Sequence, residues 1–290
     1  MIDRYQLRYF LAVADHGTFS RAAAQCNVSQ PTLSVGIAKL ERALGQPLFL
    51  RSSQRVQLTQ AGANLLAHAR RIESEFNLAH QSVTGAHEGP VLRLGLLRSI
   101  PGATVARIVE AMRDMDAEAM VEMVEGSERE LIGHVARGRV DCALTLVGRG
   151  GDRFLEEPLF EEGYALAVAH SHPQAGRRTV PAEALSDNVM MVRRHCEALS
   201  ETSRHFTERG VRPHFAFKST NDERVLQLVA SGLGVTVMPD SYRAEGVARP
   251  KLAGFDLRRR IGLIYGAGAE PMAASPPPPV RAIRQVMRAD

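Results

Sequence analysis

Hydrophobic positions in the first sixty residues recur at helical spacing. Leu7, Phe10, Leu11 and Ala14 share one face of a helix that ends near His16-Gly17, where glycine suits a C-cap. Ser20 stands where it would cap a short second helix through Ala22, Ala23, Ala24 and Cys26. After the turn Asn27-Val28-Ser29, either Ser29 or Gln30 with Pro31 opens a third helix. There Leu33, Ile37, Leu40 and Leu44 form the buried stripe, and the opposite face presents Pro31, Val35, Ala38 and Arg42, flanked by Thr32, Ser34 and Lys39. This arrangement reads as a helix-turn-helix whose third helix enters the major groove, or as a generic three-helix bundle with a solvated face. Leu48-Phe49 then returns to the core and Val56-Gln57-Leu58 alternates like a strand. Arg51 and Arg55 therefore bracket the tip of a two-stranded wing.

From Gly62 to about His87 the pattern predicts one long helix. Leu65, Ala69, Ile72, Phe76, Ala79 and Val83 follow a heptad spacing along which two copies can pair, the alternative being a helix packed on its own body. Gly85 and Gly89-Pro90 end it. Beyond Val91 the period changes. Strands at 91–97, 119–124 and 140–146 alternate with helices at 103–115 and 128–137, a βαβαβ unit with a parallel sheet. A second set follows, with strands near 164–169, 189–192, 215–217 and 235–238 and helices near 197–209 and 222–230. Ile261–Tyr265 reads as a strand returning to the first lobe. Pro276–Pro279 reads as a stiff connector before a short helix at 280–287.

The 290-residue length fits two or more domains, and charge distinguishes them. Residues 1–60 hold seven basic side chains against three acidic ones, a net of +4. Residues 61–90 sum to −1, and residues 91–290 to +1, with 27 basic against 26 acidic residues. A basic N-terminal module on a balanced body implies that one end meets a polyanion. The three cysteines, Cys26, Cys142 and Cys196, show no metal-ligand spacing, which fits a reducing cytosol. Neither a leader nor a transmembrane run is expected. With no nucleophile-elbow, phosphate-loop, zinc-protease or dinucleotide motif, neither an enzyme nor a cofactor is expected.

The runs Phe19-Ser20-Arg21-Ala22-Ala23, Val28-Ser29-Gln30-Pro31-Thr32-Leu33-Ser34, Leu44-Gly45, Pro47-Leu48-Phe49 and Leu58-Thr59-Gln60-Ala61-Gly62 closely resemble the N-terminal domain of LysR-type transcriptional regulators. The resemblance implies an α/β chain of three parts. A winged helix-turn-helix at 1–60 precedes a linker and dimerisation helix at 61–88. A two-lobed effector domain, similar to periplasmic binding proteins, follows at 89–290, with lobe I at about 91–162 and 265–290 and lobe II at about 163–264. It also implies a homo-oligomer, a dimer of dimers, acting on double-stranded promoter DNA in the bacterial cytoplasm, with a small-molecule effector and RNA polymerase as a candidate further partner. Gln30, Pro31, Thr32, Ser34, Val35, Lys39, Arg51 and Arg55 are the DNA-binding candidates. Where the family usually has Arg or a similar residue after Ser34, Val35-Gly36 stands. Val35 then either meets a thymine methyl or is a tolerated surface valine.

In open α/β sheets ligands sit at the carboxyl ends of strands. Those positions supply the effector-binding candidates Arg98, Ser99, Ile100, Ser127, Thr145, Arg193, His195, Cys196 and Thr220. Ser99 and Ser127 match positions where the family commonly places effector-contacting hydroxyls, although Ser127 also begins a capping box. Arg98, Arg193 and Arg194 would draw a small carboxylate into the cleft. The His195-Cys196 and Asp141-Cys142 pairs are similar to those of the family's peroxide-sensing members. Those members carry a second cysteine nine positions after the reactive one, and here His205 stands instead, so Cys196 is an oxidant sensor acting without an internal disulfide, a cleft-lining residue or an inert one. The functional alternatives are thus a ligand-gated regulator, an oxidant-gated one, and a DNA-binding protein that has lost sensing.

Overall fold

The structure is a computed structural model that describes residues 2–51, 56–84, 91–149, 154–266 and 268–289. Helix α1 (Arg4–His16) ends on Gly17 at φ 68°, the left-handed geometry that favours glycine. Helix α2 (Phe19–Gln25) is capped by Thr18, whose hydroxyl accepts from the Arg21 N–H. Ser20, the expected cap, lies inside the first turn, because Thr18 is the last residue with extended backbone. Helix α3 (Gln30–Leu44) starts from Ser29 with Pro31 in its first turn. Phe10, Ala22, Leu33, Ile37 and Leu40 are fully buried and bind the three helices into one core. The wing is an antiparallel pair, β1 (Phe49–Arg51) and β2 (Val56–Leu58). The Glu41 carboxylate accepts from the Leu48 N–H at 2.8 Å and so fixes the chain's entry into the wing. Arg55 and the wing tip lie outside the described residues.

Gly36 sits where α3 crosses α1. A Cβ built there would lie 2.6 Å from Tyr9 Cδ2, so the glycine is required by close helix packing. Alanine would gain about 1 kcal/mol of helix propensity, but overpacking costs about 1–3 kcal/mol. G36A should therefore lower stability by up to about 2 kcal/mol, read as a lower urea midpoint; a raised midpoint would mean that Tyr9 turns aside freely.

Helix α4 (Gln60–Thr84) packs along α1. Ala69, expected on a seam between copies, is fully buried in the chain's own N-terminal core with Leu66, because that face of α4 is the one covered by α1. Leu65 is half-buried against the same core. Further along, Ile72 and Phe76 are 40% and 46% exposed. Arg4 donates to Glu73 at 2.9 Å and lies over the Phe76 ring at 4.6 Å. The side chains of Ala79 and Val83, and the hinge glycines, lie outside the description.

Lobe I follows as β3 (Leu92–Leu97), α5 (Gly102–Met115), β4 (Val121–Gly126), α6 (Glu128–Ala136), β5 (Cys142–Leu146) and β6 (Leu155–Glu162). Lobe II contains β7 (Tyr164–Ala169), β8 (Thr179–Val180), β9 (Val189–Arg193), α7 (Leu199–Glu208), β10 (His214–Ser219), α8 (Asp222–Ala230), β11 (Thr236–Pro239), β12 (Val247–Ala248) and β13 (Lys251–Leu252). The chain returns as β14 (Arg259–Tyr265), α9 (Pro271–Ala274) and α10 (Pro278–Ala289). The lobe I sheet has the order β4-β3-β5-β14-β6, parallel through β5 and antiparallel at β14. Strand β14 starts at Arg259, two residues before the returning strand expected at 261 and six before the lobe boundary expected at about 265. Pro278 and Pro279, expected in a connector, form the first turn of α10, where a missing N–H costs nothing. Lobe II buries α7 on one face of its sheet and α8 on the other. Arg139 of lobe I donates to the Asp15 carbonyl at the end of α1, beside the Arg70–Asp15 ion pair of 2.5 Å, so the N-terminal module and lobe I touch. Among the described residues, no helix is long and apolar enough to cross a membrane.

Candidate functional site

The outward face of α3 matches a groove-reading helix in chemistry. Gln30, Pro31, Thr32, Val35 and Lys39 are exposed, Val35 at 53%, while Ser34 is half-buried. The Ser29 and Thr32 hydroxyls bond at 2.7 Å, so Thr32 helps to cap the helix as well as facing outward. Of Arg51 only the backbone is described.

The strand ends of lobe I meet lobe II across a cleft of about 680 Å³. Of the expected effector residues, Arg98, Ile100, His195 and Thr220 line it, joined by Glu125, Asp222, Glu223 and Tyr242. Tyr242 is presented by a loop that Arg249 pins, donating to the carbonyls of Tyr242, Met238 and Pro239 at 2.5, 2.9 and 2.8 Å. Ser127 serves as the cap of α6 in a reciprocal capping box with Glu130. Thr145 is fully buried inside β5 between β3 and β14, and its hydroxyl has no partner among the described residues. It stands next to the end of β5, as expected, but β14 pairs alongside it and its side chain is fully buried within lobe I, so it does not line the cleft.

The charge reason for a carboxylate ligand does not survive. Arg98 pairs with Glu125 at 2.8 Å, and Arg193, 2% exposed, pairs with Asp222 behind the cleft wall. The lining carries three carboxylates, Glu125, Asp222 and Glu223, against the one guanidinium of Arg98.

The lobes are held by a polar junction that sequence reasoning missed. The Ser99 hydroxyl donates to Glu197 Oε2 at 2.9 Å and accepts from Arg259 Nη1 at 2.8 Å. Arg259 also donates to Glu197 Oε1 at 2.5 Å and to Glu162 Oε1 at 2.7 Å, and Tyr164 donates its hydroxyl to Glu197 Oε1 at 2.8 Å. The Arg259, Glu162 and Glu197 side chains are 1%, 3% and 6% exposed. Burial would raise the Glu197 carboxyl, but Arg259 holds it below the usual carboxylate range. Burial likewise opposes the charge of Arg259, and the two carboxylates outweigh it. At the cleft mouth, the Gly102 N–H donates to Glu223 Oε1 at 3.1 Å across the lobes. One signal was readable in advance: Arg259 opens the otherwise apolar run Ile261–Tyr265, and a cation at the start of a buried strand needs a partner.

Cys196 is half-buried and does not line the inter-lobe cleft, the place expected of it. It belongs to the wall of a separate groove beneath α7. Arg193 Nη1 donates to its Sγ at 3.2 Å, yet burial dominates and pushes the thiol pKa up. Cys142 is buried in β5, and burial together with Asp141 pushes its thiol up to about 12, which makes it inert. His205 is 6% exposed, edge-on to Phe206 and Phe255 at 6.0 and 5.2 Å, with Nε2 unpartnered among the described residues.

Burial pushes His205 below its ordinary 6.5, as it does His134 and His172. The unfolded chain thus takes up a proton that the fold resists. Their contribution to stability is full above pH about 6.5 and is lost as pH falls below it. Replacing His205 with Leu should shrink the stability difference between pH 7.5 and pH 5.5 in urea unfolding; an unchanged difference would remove His205 from that account.

Residues 5–63 match the bacterial regulatory helix-turn-helix protein family of LysR type, and residues 85–289 match the LysR substrate binding domain. The chain belongs to the LysR family of transcriptional regulators. The DNA-binding transcriptional dual regulator OxyR of Escherichia coli K12 is 31% identical over 272 residues, covering 91% of this chain and 89% of the relative. The hydrogen peroxide-inducible genes activator of Haemophilus influenzae is 32% identical over 273 residues, covering 91% and 90%. Among solved structures, full-length OxyR of Pseudomonas aeruginosa, a cysteine-to-aspartate variant, superposes with a TM-score of 0.67 at 23% identity, covering 99% of this chain and 95% of that one. HinK, a LysR family regulator of the same organism, gives 0.57 at 20% identity, covering 100% and 98%. As a member of this family the chain is a DNA-binding transcriptional regulator with an effector-binding domain of the periplasmic-binding-protein type.

Proposed function

We propose that a small molecule entering the inter-lobe cleft controls DNA binding by altering the packing of the lobes. The observation that carries this reading is the polar junction Ser99–Glu197–Arg259 with the Gly102–Glu223 contact, which closes the lobes around an open cleft. A ligand competing for these donors and acceptors shifts the closure equilibrium by as much as it prefers one state. With Glu125 paired to Arg98 and Asp222 to Arg193, the remaining carboxylate of the lining, Glu223, favours a polar effector that is neutral or cationic. Two copies paired along α4 present two α3 helices to the half-sites of an imperfect palindrome, and two such dimers form a tetramer whose spacing sets the DNA bend. The site binds its ligand without turning it over, in the cytoplasm, and RNA polymerase is the partner that reads the bent promoter.

Thermal unfolding of the full-length protein against a panel of small polar amines, amides and polyols tests this. A ligand at 100 times its Kd should stabilise the fold by about 2.7 kcal/mol and change the operator footprint, and E223A should weaken both effects. Stabilisation unaffected by E223A, or an unchanged footprint, overturns the reading.

A second reading rests on the Arg193–Cys196 contact and on the likeness to peroxide-inducible gene activators. A peroxide would oxidise the Cys196 thiol to sulfenic acid, its O–O bond breaking with release of water or an alcohol. Peroxide treatment followed by mass spectrometry should then show one added oxygen at Cys196 and altered operator binding that C196S abolishes; an unmodified thiol excludes this route.

A further inference from the structure

The largest of the concavities described, about 1,140 Å³, lies in lobe II between α7 and the edge of the sheet formed by β9 and β10. A bulge creates its floor. Phe215 pairs with Met190 and Phe217 with Met191, so Ala216 is an extra residue on β10. That insertion turns Phe215 and Phe217 to opposite faces. Phe217 packs toward α8 with Met191, whereas Phe215 shares the α7 face with Met190 and Val192. Helix α7 covers only part of this face, leaving Phe215 50% and Leu199 36% exposed. The rim is basic. Arg194, Arg212 and Lys218 are exposed on the groove wall; no carboxylate lines it, and among the described residues none pairs with these three cations. An apolar floor with an unneutralised basic rim contrasts with the inter-lobe cleft, whose lining is mainly acidic.

We infer that this groove is a second ligand site, distinct from the inter-lobe cleft, that takes an amphipathic carboxylate. Its alkyl or aryl body lies on Phe215 and Leu199, and its headgroup is held by Arg194 and Lys218, which stand together at the carboxyl end of the β9–β10 pair. Charge complementarity selects an anion here, and the exposed Phe215 and Leu199 select an apolar body. The groove also touches the junction between lobes. Cys196 forms part of its wall, and the adjacent Glu197 carries the contact to Ser99 and Arg259. Occupancy therefore acts on lobe packing from within lobe II.

Titration calorimetry of the full-length protein with decanoate tests the inference, with decanol as the uncharged counterpart. One saturable site per chain is expected for decanoate, at least tenfold tighter than for decanol. R194E/K218E should weaken decanoate binding tenfold or more. Both positions are solvent-exposed, and an unchanged thermal midpoint verifies that the variant is folded. F215S should weaken decanoate and decanol together, and E223A in the inter-lobe cleft should change decanoate affinity much less than R194E/K218E does, reaching it only through lobe packing. Absence of saturable binding overturns the inference, as does equal affinity in R194E/K218E. A loss confined to E223A does so too, since it would assign decanoate to the inter-lobe cleft.

Discussion

Replacing Arg259 with methionine is expected to lower the unfolding midpoint of the two-lobed domain by about 6–20 °C. The guanidinium is the sole cation at the centre of the Ser99–Glu197–Glu162 cluster among the described residues, and its removal leaves two carboxylates almost completely shielded from water. Breaking a buried ion pair by deleting one partner costs about 3–5 kcal/mol, and each kcal/mol moves the midpoint of a domain this size by about 2–4 °C. The loss should be largely recovered when both carboxylates are neutralised in E162Q/E197Q/R259M, because methionine then faces amides that carry no charge. Calorimetric unfolding of the three proteins reads this directly. A midpoint within about 2 °C of the parent in R259M would show that water reaches the junction and that it does not hold the lobes.

The second large effect concerns pairing. Ile72 and Phe76 are the exposed apolar side chains on the described part of the α4 seam, while Leu66 and Ala69 hold α4 to its own core. Aspartate at both exposed positions should therefore leave the N-terminal module folded while repelling a second copy. Losing the linked second half-site removes an effective concentration in the mM range, so operator affinity of I72D/F76D should fall by about 100-fold or more. The salt slope of binding should roughly halve, since each copy brings its own phosphate contacts. Sedimentation and operator titration at two salt concentrations check both outcomes. A variant that stays oligomeric and binds with parental affinity would move the pairing surface elsewhere.

The elements were legible in the sequence where one face of a segment is apolar and the other wet. Helices α1, α3 and α8 and strand β7 fall where periodicity puts them, because each buries one stripe or one whole strand in a single core. Strand β6 was not foreseen, since Leu155–Glu162 is an edge strand with an acidic, half-exposed pattern and no clean alternation. What the α4 stripe packs against is something periodicity cannot resolve. A heptad stripe looks the same whether it faces a second copy or the chain's own α1, and Ala69 belongs to the latter.

The site was legible as a location but not as a circuit. Arg98, Ile100, His195 and Thr220 do reach one cleft, because strand ends and helix starts converge there in an open α/β sheet. Their charges misled, because Arg98 and Arg193 are neutralised by Glu125 and Asp222, residues 27 and 29 positions away that no local pattern connects to them. Thr145 failed for a simpler reason: β14 pairs alongside it and its side chain is buried inside lobe I, which periodicity along β5 does not reveal. Gly36, without an explanation in the sequence, acquires one only when Tyr9 is seen across the helix crossing.

The central claim is that lobe packing sets how the protein lies on DNA, and one comparison tests it most directly. The operator selected by the full-length protein should be footprinted with the parent and with S99A/E223A. That pair of substitutions removes two cross-lobe contacts without orphaning a buried charge, since Glu197 keeps Arg259 and Tyr164. The account predicts the same half-site sequences with a footprint of altered length or bend. Footprints identical in extent and bending, with the lobes loosened, would contradict it.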